Sequence, residues 1–139
     1  MRFLHLSDLH LGKRVCEFSM LEDQRYILEQ VLSLLDKTPV DGVLLAGDLY
    51  DKPVPPAEAV RLLDWFLTQL AARNLPVFAI SGNHDSADRL AFGSALLTGS
   101  RVYMSPVFSG APQPISLQDA YGTVDVYLLP FLKPATVRH

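Results

Sequence analysis

The sequence predicts an α/β fold in which parallel strands are joined by crossover helices and a hairpin follows. Three observations carry that expectation: near-continuous apolar runs at 2–7, 41–47 and 76–82, long helical stretches between them, and a change to turn-punctuated sequence after residue 104. Apolar runs without alternation mark strands covered on both faces. Strand, helix, strand, helix, strand with short connections is the order of right-handed crossover units.

The first strand is "RFLHLS", and His5 inside it reads as a buried histidine with its polar atoms satisfied. The first helix opens at Ser19, with Glu22 three residues on as a capping box, and Leu21, Leu28, Val31 and Leu35 then share one face. "DGVLLAG" is the second strand. The second helix starts after Pro55 and Pro56, carries Val60, Leu63, Phe66, Leu67 and Leu70 at helical spacing, and stops at Asn74 before Pro76. "PVFAISG" is the third strand. A third helix is expected from Ser86 to Leu97, ending at Gly99, and "RVYM" then reads as a short strand. "SPVFSGAPQP" is loop-like, whereas "ISLQD" and "TVDVYLLP" flank "AYG" as a hairpin with a Gly-containing turn. The closing "FLKPATVRH" shows no finishing element, and His139 at its end takes no role.

A chain of 139 residues falls within the size of one domain, and 49% apolar with 19% charged residues excludes a disordered or fibrous class. No apolar run approaches the roughly 18 residues that span a bilayer, and the start "MRFLHLSDLH" has neither an apolar leader core nor a cleavage site. The expectation is a cytoplasmic protein without a membrane segment. The single cysteine, Cys16, cannot form an internal disulfide and is expected to be a small buried or half-buried residue. The formal net charge of −3 leaves no global basic excess for gripping nucleic acid, so such contact falls to Lys13, Arg14, Lys52 and Arg89 near the polar motifs.

Each apolar strand ends in polar residues: Ser7, Asp8, Leu9 and His10; then Gly47, Asp48, Leu49, Tyr50 and Asp51; then Asn83, His84 and Asp85. The carboxyl ends of parallel strands lie on one edge, where ligands bind, so the three segments converge. Asp8 and His10 are two apart, and in an extended chain their side chains point the same way. Asp48 and Asn83 arrive from neighbouring strands. Together they offer mixed oxygen and nitrogen donors, which suit manganese, iron or zinc better than calcium, and manganese is the expected cation. Gly47 and Gly82 are expected to let backbone approach a ligand or to adopt φ angles that a Cβ resists. Each motif alone is ordinary turn chemistry. Their order, each directly after a strand, points to a metal site.

"SDLHLG", "AGDLYD" and "SGNHDS" match without gaps the D-x-H, GD-x-x-D and GNH-Asp/Glu pattern, and the chain thereby resembles the calcineurin-like metallophosphoesterases. "RFLHLSDLHLGKR", "GDLYDKPVPP" and "GNHDSADRL" are most similar to the bacterial SbcD nuclease-subunit branch of that superfamily. The resemblance covers essentially the whole chain. It implies a metallophosphoesterase-type αββα sandwich, of which residues 1–139 would be the N-terminal portion, incomplete at its C-terminal end.

By the same resemblance, Asp8 and His10 would bind one Mn2+, Asp48 would bridge two, and Asn83 would bind the second. The two cations would lie roughly 3.5–4 Å apart. His84 would be no ligand; it would face the substrate and stabilise phosphoryl charge or protonate the leaving alkoxide, while Asp85 and Asp51 orient neighbours. The implied reaction is hydrolysis of DNA phosphodiesters alongside an SbcC-like SMC-type ATPase subunit.

The family completes its site with a histidine after a later strand and a G-H-x-H pair, yet only His139 lies beyond His84 here. Weak or absent metal binding and little hydrolysis are therefore expected of this chain alone. An exposed sheet edge or face would invite a homodimer. Other readings are a cyclic-nucleotide phosphodiesterase, a protein phosphatase, or a non-catalytic dimerisation module. The phosphatase reading is weakened by Lys52, where that motif has Arg followed by Gly, and by GNHD in place of GNHE.

Overall fold

A computed structural model of the chain describes residues 1–137. In order, the elements are β1 (Phe3–Leu6), β2 (Arg14–Val15), β3 (Phe18–Ser19), α1 (Leu21–Lys37), β4 (Gly42–Ala46), α2 (Ala57–Ala72) and β5 (Val77–Ile80). They continue with α3 (Ala87–Ala91), α4 (Ser94–Leu97), β6 (Val102–Met104), β7 (Pro114–Asp119), β8 (Gly122–Tyr127) and α5 (Pro134–Val137). The predicted α/β class is what the structure shows. His139 lies outside the described residues.

The main sheet has the order β1-β4-β5-β6, with every neighbouring pair parallel. Each crossover steps one strand in the same direction, so right-handed connections put the helices on one face. In register, Leu4 and Leu6 stand opposite Val43 and Leu45, these opposite Val77 and Ala79, and these opposite Val102 and Met104. That row packs against Leu28 and Leu32 of α1 and Leu63, Phe66 and Leu70 of α2 to form the core. The opposite face is aromatic: Phe78 meets Phe3 edge-on at 6.4 Å and stacks on Tyr103 at 5.3 Å. The predicted hairpin is present as a separate two-stranded sheet, β7–β8, whose Asp119 pairs with the Met1 ammonium at 2.9 Å.

Four local expectations are corrected. Ser19 belongs to β3, and Met20 stands at the N-cap of α1 without a side-chain cap. The Met20 N–H is instead bonded to the Lys13 carbonyl at 3.0 Å, so the β2–β3 hairpin, not a capping box, sets where α1 begins. His5 is exposed, because β1 is an edge strand and position 5 faces away from the helices. Cys16 is exposed as well, at the β2–β3 turn with φ of 46°. The third helix is split, since Gly93 takes φ of 73° between α3 and α4. Ser86 does cap α3, accepting from the Arg89 N–H at 3.4 Å.

Arg73, just past α2, grips Asp36 of α1 through Nε at 2.8 Å and a second guanidinium nitrogen at 3.0 Å. This hydrogen bond holds the Asp36 carboxyl below the usual carboxylate range. A lowered carboxyl contributes stability above its unfolded pKa and loses it as pH falls through the folded one. Melting curves of parent and Arg73→Gln should therefore differ modestly at neutral pH and converge in acid, with the difference reduced by salt. In the core, Phe66 is fully buried. Phe66→Ala should cost about 3–5 kcal/mol of unfolding free energy in denaturant titrations.

Candidate metal centre

The chain leaves β1 and β4 through left-handed backbone. Asp8 has φ of 56°, His10 43°, Gly47 87° and Asp48 49°. Such angles are costly for residues with a Cβ, and they persist where surrounding contacts enforce them, commonly at functional sites. Those contacts are visible here as pairing that continues past the strand ends. Asp8 N–H donates to the Gly47 carbonyl at 3.1 Å, His10 N–H to Asp48 at 2.9 Å, and Leu11 N–H to Leu49 at 2.9 Å. Asp51 N–H donates back to Leu11 at 3.1 Å.

The extended-chain argument for Asp8 and His10 is thus corrected, although the two side chains still meet. His10 Nε2 lies 3.7 Å from an Asp8 oxygen and 3.8 Å from Asp48 Oδ2. Both sit where the first and second loops are laced together, not on a straight strand. Asp8 is exposed, with two-thirds of its side chain open to solvent, whereas Asp48 is only 8% exposed.

Asp48 Oδ1 accepts the His84 N–H at 2.9 Å, which ties the second loop to the third. That approach requires glycine. A Cβ on Gly82 would fall 2.1 Å from Asp48 Oδ1, and one on Gly47 would fall 3.0 Å from Gly82 Cα. Gly82 therefore makes room for a carboxylate of this chain, not for a ligand; Gly47 serves both that close approach and its own positive φ. Asp85 completes the junction by accepting three backbone N–H groups, from Leu49 at 3.0 Å, Tyr50 at 2.9 Å and Gly82 at 2.9 Å. Its expected orienting role is visible in those bonds. Burial, and then the neighbouring Asp85 and Asp64, push the Tyr50 phenol up to about 12, so it stays neutral.

Potential ligand atoms of His10, Asp48 and His84 all lie within 4.8 Å of one another. His84 Nδ1 is 3.0 Å from the Asp51 carbonyl, which can only accept, so Nδ1 carries the proton and Nε2 keeps its lone pair in the neutral ring. The His84 ring stands edge-on to His10, with centroids 4.8 Å apart. His10 Nδ1 is buried without a hydrogen-bond partner, and its nearest carboxylate, Asp51 Oδ1, is 3.6 Å away. Asp51 thus touches both imidazoles. Asn83 is exposed between Gly82 and His84, and Lys13, Arg14, Lys52 and Arg89 are exposed too. One buried and one exposed carboxylate beside two imidazoles, one of them with an orphaned nitrogen, form a donor set that fits a divalent transition metal.

One participant stands outside all three motifs. Gln24 on α1 hydrogen-bonds the backbone on both sides of His10. A glutamine among apolar helix positions carries no signal by itself, because its partners lie 12 to 15 residues away.

The family model for the calcineurin-like phosphoesterases matches residues 1–132. The chain belongs to the calcineurin-like phosphoesterase family. Members of this family use metal ions, and His10, Asp48 and His84 form a possible site for one here. The chain is also similar to the SbcD component of the SbcCD nuclease of Staphylococcus saprophyticus, at 35% identity over 132 residues, which is 94% of this chain and 34% of that protein. The protein of the same name from Staphylococcus epidermidis is 35% identical across the whole chain, which covers 36% of its length. The chain therefore spans about a third of the curated relatives it matches. A parallel sheet flanked by helices, with a following hairpin, is consistent with the phosphoesterase family fold.

Gly82→Ala tests the junction directly. The added methyl must displace the Asp48 carboxylate or the third loop, at a cost of about 1–3 kcal/mol. Thermal melting should register that loss, and a divalent-cation titration of the same variant should show weaker binding than the parent.

Proposed function

We propose that this chain is the N-terminal, cation-binding part of a manganese-dependent DNA nuclease subunit that hydrolyses phosphodiesters. The observation that carries this reading is the meeting of Asp8, His10, Asp48 and His84 at one edge of the sheet. In this reading Asp8, His10 and Asp48 hold one Mn2+, and Asp48 with Asn83 takes part in holding a second. When bound, the cations polarise the phosphoryl oxygens.

The chain's own residues supply orientation and proton chemistry. Asp48, held by the His84 N–H, keeps one oxygen toward His10. The carbonyl of Asp51 fixes the tautomer of His84, and the free Nε2 can accept a proton, or when protonated donate one to the leaving oxygen. Lys13, Arg14, Lys52 and Arg89 are exposed cations available to a phosphate backbone, which suits DNA despite the acidic total.

The relatives are named as a subunit of the SbcCD nuclease, which supports a nucleic-acid substrate and a partner subunit; we take these to be DNA and an SbcC-like, SMC-type ATPase. A homodimer is proposed as well. Phe92 and Leu96 are 86% and 84% exposed beside an apolar groove of about 760 Å³ lined by Val60, Leu67, Phe92 and Leu97. A second copy would remove that surface from water. No described helix is long and apolar enough to cross a membrane, and a cytoplasmic setting, where the DNA lies, belongs to the same proposal. No histidine follows His84 among the described residues, so donors from further chain would complete the second cation site, and this chain alone should turn over little substrate.

The test is hydrolysis by the full-length protein with Mn2+ of double-stranded DNA, hairpin DNA and bis-p-nitrophenyl phosphate. His84→Ala should lower kcat by about 10²–10⁴-fold. Turnover of the small diester with DNA left intact would overturn the nuclease reading and leave a phosphodiesterase of another substrate class.

A further inference from the structure

We propose that Gln24 is a positioning residue that holds the backbone of His10 in the conformation presenting its ring to the cation site. The functional part of this inference rests on reading His10 as a cation ligand. The clamp itself rests on distances. Gln24 lies in the first turn of α1, half-buried, and its side-chain amide spans the first loop. Oε1 accepts the Gly12 N–H at 3.0 Å, while Nε2 donates to the Leu9 carbonyl at 3.1 Å and to the His10 carbonyl at 2.8 Å.

These backbone groups have no strand to pair with on that side. The chain turns left-handed at His10 and again at Gly12, with φ of 43° and 87°, and the Leu9 and His10 carbonyls meet the Gln24 amide. On the opposite side the same loop is fixed by His10 N–H and Leu11 N–H donating to Asp48 and Leu49. The His10 carbonyl also accepts the Lys13 N–H at 3.0 Å within the turn, so the His10 backbone is held by the second loop, by its own turn and by one helix side chain. Direction of the ring follows from this, because side-chain rotamers depend on the backbone angles that carry them. Without the amide, the strained angle keeps its backbone pairing but loses the one side-chain group that meets the loop from the helix side.

The chemistry selects glutamine. Two carbonyls and one N–H must be met by a single planar group with two donors and an acceptor. Glutamate would set a carboxylate against two carbonyl oxygens, and methionine has the length but neither function. Asparagine keeps the amide one methylene short. Gln24 touches none of the candidate ligand atoms, so its influence passes through His10.

The full-length protein and its Gln24→Met and Gln24→Glu variants give the test, with Gln24→Asn as the replacement should either fail to fold. Imidazole signals of the metal-free proteins are read by NMR, with exposed His5 as an internal control. The His10 ring signals should move in both variants while those of His5 stay in place. Cobalt(II) binding, followed by visible absorption, should weaken about tenfold in Gln24→Met. In a His10→Ala background the same substitution should cause no further weakening. His10 signals unchanged from the parent, or equal weakening of cobalt binding with and without His10, would overturn the proposal. A parent that binds no cobalt, while its His10 signals still respond to Gln24, would overturn the ligand reading and uphold the clamp.

Discussion

The contact on which the site depends is the close approach of the loops after β4 and β5, where the Asp48 carboxylate is packed against Gly82. A carboxylate this buried needs hydrogen-bond donors in place of the water it has lost, and the His84 N–H supplies one. The donor can reach only because position 82 has no Cβ, since a methyl there would overlap the carboxylate oxygen. Asp85 then locks the geometry from the other side by collecting three N–H groups from both loops. One polar junction thus fixes the relative position of the second and third motifs, and the first motif is laced to the second by backbone pairing.

The topology explains why such a junction forms at this edge. Four parallel strands taken in steady order carry their helices on one face, and every loop leaving a strand's carboxyl end emerges along the same rim. The core of Val43, Leu45, Val77 and Phe66 is fully buried and holds the strand ends at fixed spacing. Rigid strands beneath strained loops are a suitable arrangement for ligand atoms, because the cost of the left-handed angles at Asp8, His10 and Asp48 is met by packing elsewhere. The imidazoles then acquire distinct surroundings. His84 has its Nδ1 committed to the Asp51 carbonyl, whereas His10 keeps Nδ1 buried and unpartnered near the Asp51 carboxylate.

By itself the sequence determined the α/β class, the three parallel strands that bear motifs, the two long helices, the hairpin and the emergence of the three polar motifs along one edge of the sheet. It could do so because apolar periodicity is local and the carboxyl ends of parallel strands share an edge whatever the details. Tertiary structure alone decided the exposure of His5, the start of α1 at the β2–β3 hairpin, the break at Gly93 and the reach of Gln24. Each of these depends on partners distant along the chain: which strand lies at the sheet edge, which carbonyl takes the Met20 N–H, and which loop turns left-handed beneath a helix. Local spacing carries no record of such contacts, so even the meeting of Asp8 with His10, expected on the premise of an extended strand, came about through two residues at positive φ.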